Sequence, residues 1–560
     1  MGRVLSLITP AWLREYQKAW LRSDVMAGLT TAAVIIPKAL AYATVAGLPV
    51  QAGLYTTFLP VVIYALLGTS RVLSMSTTAT LAILAGTALS AVSSGANPAS
   101  LVTASASLAL LVGAMLVLAG LFRLGFVANF ISEPVLVGFK AGVGFVIVLD
   151  QIPKLIGVHI PKESFFRDLF HTVAAIPHAS VPTILVGASM LVILLAMERF
   201  TPKAPAPLIA VAIGIVAVQV LGLDHRGVAI VGMVPTGLPT PTLPDAHLLI
   251  ALWPSAAGIA LMSFTETIAA GRAFARSDEP AAKPNRELLA TGLANIGGAF
   301  AGAMPAGGGT TQTAVNRLSG ARSQLAGLVT GLLSLGVILL LAPFIGLMPM
   351  ATLAAVVIVY SIGLIKPYEF RKILSVRRTE FLWAVASMAG VMLLGTLQGI
   401  LVAIVVSLLA LAHQVSDPPV YVLGRKPGTN VFRPRSEEHL DDEHFPGLLL
   451  LRPEGRLFFA NAERVAQKVA SLIAAERPSI VAIDLGGVFD LEYTALKMLI
   501  ESEKRQREMG VTMWLIALNP GVLGMVMRSP LGQTLEDGRL IFTIEEAVAH
   551  YGRMQDLPKK

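Results

Sequence analysis

Gly302-Ala303-Met304-Pro305-Ala306-Gly307-Gly308-Gly309-Thr310-Thr311-Gln312-Thr313 sits inside a long apolar region, yet it carries three consecutive glycines, a proline and four polar side chains. Bare backbone N–H and C=O groups facing hydrocarbon are too costly to persist, so this run must be buried in protein or line a wet cavity. A glycine-rich turn opening a short helix exposes the first N–H groups of that helix, the positive end of its dipole, and makes an anion seat. A second version occurs earlier, at Ser74-Met75-Ser76-Thr77-Thr78-Ala79-Thr80, again followed by a short apolar run. Half-helices at corresponding positions of two halves are a sequence pointer to a transporter binding site.

The surrounding chain supports that setting. Of its 560 residues 54% are hydrophobic and 14% charged, with a mean hydropathy of +0.71, against about 25% charged in an average soluble domain. Residues 25–415 are mostly apolar, whereas 416–560 read like an ordinary soluble domain. The expected class is a polytopic α-helical membrane protein with a soluble tail. No short apolar core with a small-residue cleavage site opens the chain, so no removable signal peptide is expected. The absence of cysteine excludes disulfides, metal thiolates and cysteine nucleophiles. The net charge of +8 does not point to nucleic acid, because Lys and Arg sit mostly in membrane-flanking loops. No nucleotide motif, metal cluster or catalytic triad is visible, so neither an enzyme nor a cofactor is expected.

Residues 1–24, with Trp12, Trp20, Arg14, Lys18 and Arg22, read as an amphipathic cytoplasmic segment lying on the membrane. Fourteen apolar segments follow within 25–415, and about 20 residues span the hydrocarbon. The third (73–91) and tenth (308–318) are too short or too polar to span alone. With the N-terminus inside, nineteen Lys and Arg fall on inside segments against four outside, namely Lys154, Lys162, Arg167 and Arg226. The positive-inside rule therefore puts both termini in the cytoplasm, and the expected location is the inner (cytoplasmic) membrane. A charged linker is expected over 416–445, followed at 446–560 by alternating strands and helices, including strand-like Leu457-Phe458-Phe459, that imply a small α/β domain.

Three ionisable residues lie at membrane depth. Lys38 directly follows Pro37 in the first segment. A cation there costs at least about 2.5 kcal/mol, so it faces a cavity or a partner. Two compatible readings stand: it supplies the fixed positive charge of an anion site, or it pairs with Glu266. Glu266, deep in segment eight, is a candidate proton relay, or a structural partner of Lys38 or Lys140. Lys140, in segment five, reads as snorkelling toward the cytoplasm or facing a wet crevice. Tyr42 lies one turn after Lys38, on the same face. Thr77, Thr78, Thr310, Thr311 and Gln312, with the backbone of Gly308 and Gly309, could donate to an oxyanion; threonines also hydrogen-bond their own helix.

Ile36-Pro37-Lys38-Ala39-Leu40-Ala41-Tyr42-Ala43, Ala46-Gly47-Leu48-Pro49, Gly68-Thr69-Ser70-Arg71, Phe264-Thr265-Glu266 and Gly292-Leu293-Ala294-Asn295 resemble signatures of the sulfate permease family. Its animal members are the solute carrier 26 anion transporters. Phe459-Ala460-Asn461-Ala462 and Asp484-Leu485 resemble the STAS domain. The resemblance implies a seven-plus-seven inverted repeat with a core (segments 1–4 and 8–11) and a gate (5–7 and 12–14). It also implies an anion between half-helices three and ten, elevator-like movement and a homodimer.

By that resemblance Lys38 stands where members commonly have Gln, and Gln312 where many animal members have Arg, so the cation is on the opposite helix. Sodium-coupled relatives can carry Thr four residues after the acid; Ala270 here favours protons over sodium. Thr494 aligns with a phosphorylatable Ser of anti-sigma antagonists, with a helix N-cap as the plain alternative. The expectation is proton-coupled secondary transport of a small oxyanion, sulfate first. Bicarbonate or a C4-dicarboxylate is the same-class alternative. A non-transporting anion sensor acting through a cytosolic partner of the STAS domain is the alternative of another class. A nucleobase carrier shares the fold, but Lys38 argues against a neutral base.

Overall fold

The computed structural model describes residues 11–92, 98–129, 132–161, 163–201, 204–235, 237–276, 278–535 and 538–555. Residues 1–10 of the expected N-terminal segment, and the loop cations Lys162 and Lys203, lie outside them. The chain divides into two compact units, Met1–Leu408 and Leu409–Lys560.

Each expected apolar segment contributes a helix. The first seven are α1 (Leu21–Val45), α2 (Val50–Leu67), α3 (Ala79–Val92), α4 (Pro98–Leu121), α5 (Glu133–Ile156), α6 (Val181–Phe200) and α7 (Ala206–Leu221). The second seven are α8 (Ala246–Ala273), α9 (Pro284–Phe300), α10 (Thr310–Leu318), α11 (Leu325–Leu340), α12 (Met350–Ile362), α13 (Arg378–Leu394) and α14 (Thr396–Ser416). Among the described residues, seven helical stretches are long and apolar enough to cross a membrane by themselves. Neither α3 nor α10 is among them. Both are half-helices, each entered through a two-residue strand: β1 (Met75–Ser76) before α3 and β2 (Gly307–Gly308) before α10.

Packing repeats under exchange of the two halves. Helix α4 lies on α8 and α9, and its counterpart α11 lies on α1 and α2. Helix α5 packs on α13, and its counterpart α12 packs on α6. Core and gate thus have their own internal contacts, and α1 also touches α7 and α12 of the gate. In lipid, close packing rather than solvent exclusion holds helices together, and small residues permit it. Gly113 of α4 and Gly292 of α9 face each other, each so close that a Cβ would lie 2.7–2.8 Å from the other's carbonyl oxygen. At Gly138 of α5 a Cβ would fall 1.9 Å from the Ala384 carbonyl oxygen of α13.

Residues 11–20 form only a short helix at Ala11–Arg14 and a 3-10 turn at Lys18–Trp20. Trp12 is buried, and its indole N–H donates to the Ala65 carbonyl at the end of α2 (2.7 Å). A free carbonyl of a helix C-terminus needs such a donor.

The second unit is a six-stranded sheet in the order β4-β3-β5-β6-β7-β8, with β3 Val420–Arg425, β4 Phe432–Pro434, β5 Leu448–Pro453, β6 Ile480–Asp484, β7 Thr512–Ile516 and β8 Leu540–Ile541. Strands β5 to β8 are parallel, while β3 is antiparallel to both β4 and β5. Five helices accompany it: α15 (Ala462–Glu476), α16 (Tyr493–Glu508), α17 (Pro520–Met527), α18 (Pro530–Leu535) and α19 (Ile544–Gln555). The strands are apolar on both faces. Leu449, Leu451, Val481 and Ile483 pack in one cluster with α15 and α16, while Leu448, Leu450, Ile480 and Ala482 pack in another with α19. That is the period-two pattern of a sheet covered on both sides.

Two expectations are corrected here. The stretch 416–445 is not simply a linker, since it supplies β3 and β4; Arg433 reaches from β4 to Asp442 in paired 2.8 and 2.7 Å bonds, so its charges are tied into the sheet edge. Leu457-Phe458-Phe459 is no strand either. Leu457 makes one isolated bridge to Leu491, and the chain turns at once into α15.

Candidate functional site

The two glycine- and threonine-rich stretches meet. Strands β1 and β2 pair antiparallel, Met75 opposite Gly308 and Ser76 opposite Gly307. The pairing extends through Gly309 N–H to the Ser74 carbonyl (3.2 Å), Ser74 N–H to Thr313 Oγ1 (3.1 Å) and Gln312 Nε2 to the Ser74 carbonyl (3.0 Å). The N-termini of α3 and α10 are therefore held side by side. Gly309 gives α10 no side-chain cap, while Thr78 Oγ1 accepts from Leu81 N–H of α3 at 3.2 Å.

Side chains from the neighbouring core helices satisfy the extended backbone. Met304 N–H donates to Thr56 Oγ1 (2.9 Å), Ala306 N–H to Asn295 Oδ1 (2.8 Å) and Gly308 N–H to Thr267 Oγ1 (2.8 Å). The Ala306 carbonyl accepts from Ser263 Oγ (2.8 Å) and Asn295 Nδ2 (3.0 Å), and the Pro305 carbonyl from Thr77 Oγ1 (2.8 Å). Irregular backbone at membrane depth survives on these terms. The glycines are sterically required too: a Cβ on Gly308 would lie 2.7 Å from Leu73 Cδ1 and 2.9 Å from Thr267 Cα.

Around this junction stand the ionisable groups. Lys38 is buried on α1, immediately after the helix-interior Pro37, and its Nζ lies 3.5 Å from the centroid of the Tyr360 ring on α12. Glu266, buried on α8, accepts from Thr78 Oγ1 at 2.7 Å and faces Lys140 Nζ of α5 at 4.0 Å. Tyr42 is buried on α1, within electrostatic reach of both Tyr360 and Glu266. Glu198, at the end of α6, is the acidic group whose charge acts on Lys38.

These positions sort the expected residues. Thr78 joins Glu266, Tyr42 lies within electrostatic reach of it, and Lys38 stacks on Tyr360; the carboxylate's cationic partner is Lys140, which faces it rather than snorkelling away. Thr77 and Gln312 turn to backbone carbonyls and act as staples between the half-helices. Thr310 and Thr311 are exposed in the first turn of α10. Thr494 is exposed in the first turn of α16, whose N-cap is Glu492, so the plain N-cap reading of Thr494 does not hold. Sequence reasoning missed Tyr360, an aromatic inside an apolar helix with no local mark of function. It also missed the positioning roles of Thr56, Ser263, Thr267 and Asn295, whose only signal is polarity at membrane depth.

The family model described as the sulfate permease family matches residues 21–387, and that described as the STAS domain matches 439–547. The probable sulfate transporter of Mycobacterium tuberculosis strain CDC 1551 is 34% identical over 544 residues, 96% of this chain and 97% of that protein. High affinity sulfate transporter 2 of Stylosanthes hamata is 28% identical over 567 residues, 97% of this chain and 85% of that one. Among solved structures, the murine solute carrier 26 family member A9 anion transporter in the inward-facing state superposes with a TM-score of 0.88 at 21% identity. It covers 99% of this chain and 95% of that chain.

Proposed function

The chain belongs to the sulfate permease family, and from that premise we propose that it is a secondary active transporter of a small oxyanion, sulfate first, coupled to protons. The observation that carries this reading is the junction of α3 and α10. Two helix N-termini meet there, and α1, which carries the buried Lys38, packs against both half-helices, an arrangement suited to a compact, multiply charged oxyanion. The sulfate transporters among its relatives favour sulfate over bicarbonate or a C4-dicarboxylate. Lys38 supplies the fixed charge, Tyr42 and Thr78 line the seat, and the first turn of α10 with Gly308, Gly309, Thr310 and Thr311 closes it. Thr77 and Gln312 hold its shape. Glu266 carries the coupling proton, with the Lys140 ammonium 4.0 Å from its carboxylate.

Transport proceeds by displacement of the core (α1–α4, α8–α11) against the gate (α5–α7, α12–α14). In support, the contacts crossing between them include small, breakable ones. Lys38 stacks on Tyr360, Lys140 faces Glu266, Lys154 Nζ donates to the Thr44 carbonyl (3.0 Å), and the Thr87 and Thr396 hydroxyls meet at 2.9 Å. The protein acts as a homodimer in the inner membrane with both termini cytoplasmic, and exposed apolar side chains such as Leu185, Val192 and Val220 suit contact with lipid. Thr494 offers a phosphorylation site at the start of α16.

Uptake of labelled sulfate, bicarbonate and fumarate into proteoliposomes tests the reading, with and without inward proton or sodium gradients. Proton-driven sulfate uptake that is lost in Glu266→Gln and weakened in affinity by Lys38→Gln supports it. Binding of an anion without flux under any gradient overturns it.

A further inference from the structure

Lys140 has no part in the anion seat just described, yet it faces the coupling carboxylate. Its helix is locked into the gate: α5 approaches α13 at Gly138 and α12 at Gly144, where a Cβ would lie 2.9 Å from the Ser361 carbonyl oxygen. Glu266 belongs as firmly to the core. On the same helix, Ser263 and Thr267 hold the backbone at Ala306 and Gly308, and Thr78, just before α3, donates to the carboxylate itself. The 4.0 Å pair of Lys140 Nζ and Glu266 Oε1 thus spans two bodies, each braced from behind. Any displacement of core against gate must part it.

A carboxylate left at membrane depth without a cation cannot stay ionised, since the low-dielectric surroundings disfavour the charged form. Among the described residues the cation at ion-pair distance from Glu266 is Lys140; Arg272, in the last turn of α8, and Arg286, in the first turn of α9, sit at helix ends. Helices α3 and α4 contain no ionisable residue. On α9, Glu287 is taken up by Tyr64, Thr69 and Ser70, and on α10, Arg317 is paired with Glu279. From α1, Tyr42 reaches toward Glu266 with a neutral hydroxyl, while Lys38 is committed to Tyr360 on α12.

Building on the proton-coupled reading above, we propose that Lys140 is a tethered counter-cation that replaces the coupling proton on Glu266 when the core docks in this position. Docking brings the ammonium to the protonated carboxyl; the O–H bond breaks, the proton leaves to the adjoining water, and the carboxylate remains paired with the ammonium. When the core moves away the pair opens, and Glu266 takes a proton from the water on the other side. Lys140 keeps its own protons throughout. It is a positioning residue for proton release and does not touch the anion.

The test separates net transport from exchange in the full-length protein reconstituted in liposomes, with labelled sulfate as the probe. In Lys140→Gln, proton-driven net uptake is expected to fall by roughly tenfold or more, because nothing replaces the proton on Glu266. Sulfate–sulfate counterflow at equal pH, in which that proton need not leave, is expected to stay within about threefold, and it doubles as the check that the variant folds. Lys140→Arg should restore most of the net uptake. Adding Lys140→Gln to Glu266→Gln should change neither mode by more than about twofold, as for two residues acting through one interaction. Equal losses of net uptake and counterflow, or a full effect of Lys140→Gln in the Glu266→Gln background, would overturn the role of Lys140 alone. Wild-type sulfate flux that ignores the proton gradient, or no sulfate flux at all, would sink the coupling reading and this inference with it.

Discussion

The Lys38 ammonium lies 3.5 Å from the centre of the Tyr360 ring, joining α1 of the core to α12 of the gate through a cation and an aromatic face. A buried ammonium needs compensation, and the ring's negative face supplies it at contact distance, alongside the charge of Glu198.

The phenyl ring, rather than the hydroxyl, is then what matters. Tyr360→Phe should leave thermal stability of the purified protein within about 0.5 kcal/mol, whereas Tyr360→Leu should lower it by about 0.5–2 kcal/mol, the range for such contacts. Unfolding midpoints in one detergent, compared with Lys38→Gln, decide it. Equal loss in both Tyr360 variants would show that the hydroxyl is the operative group.

Gly308→Ala should abolish transport while Gly336→Ala keeps it. A Cβ at Gly308 collides with Leu73 and Thr267 and pushes β1 and β2 apart, whereas at Gly336 nothing lies within 4 Å. Overpacking of this kind costs about 1–3 kcal/mol, enough to displace the half-helix ends from each other. Sulfate uptake normalised to folded protein is the measurement, and full activity in Gly308→Ala would remove the steric argument.

Glu287 anchors the strand-like approach to α3. It accepts from Tyr64 Oη (2.7 Å), Thr69 N–H (2.8 Å), Ser70 N–H (3.2 Å) and the Thr69 hydroxyl. Glu287→Gln preserves shape but removes the charge, and should cost about 1.5–3 kcal/mol, the worth of hydrogen bonds to a charged group. Tyr64→Phe removes one donor of several and should cost about 1 kcal/mol. A larger loss for Tyr64→Phe than for Glu287→Gln would reverse this ranking.

In the STAS domain, the Arg433 guanidinium hydrogen-bonded to Asp442 holds its carboxyl below the usual carboxylate value. A carboxyl lowered in the folded state contributes stability above its unfolded value, about 3.9, and loses it as pH falls through the folded value. Asp442→Asn should therefore weaken hydrogen-exchange protection of β3 and β4 at pH 7, with the gap from wild type closing only below about pH 4. A gap that persists unchanged at pH 2.5 would assign the effect to packing.

Much was legible residue by residue. The half-helix at 308–318 announced itself because glycine and threonine inside a membrane domain have few structural reasons to be there, and α10 begins at Thr310 as that reading requires. The strands at 480–485 and 511–517 followed from apolar runs bounded by turns, and β6 and β7 occupy them. The region 416–445 misled because β3 and β4 are edge strands rich in charge, and their strand character comes from pairing with β5 and with each other. Gln312 looked like a substrate ligand because its type suits one. The structure adds that one N–H of this amide donates to the Ser74 carbonyl, which also accepts from Gly309 N–H.

Hydropathy, charge asymmetry and glycine placement by themselves determined the membrane class, the fourteen segments, the two broken helices and the α/β tail. Each of these is a local response of the chain to lipid or water as solvent, so nearby residues suffice to read it. Which lysine meets Glu266 was decided by tertiary structure alone. Lys38 and Lys140 carry the same charge inside apolar helices, and the sequence around each does not say which of them turns toward Glu266. The choice rests on how α1, α5 and α8 are turned about their axes. Contacts far along the chain, such as Gly138 on Ala384 and Lys38 on Tyr360, set that rotation.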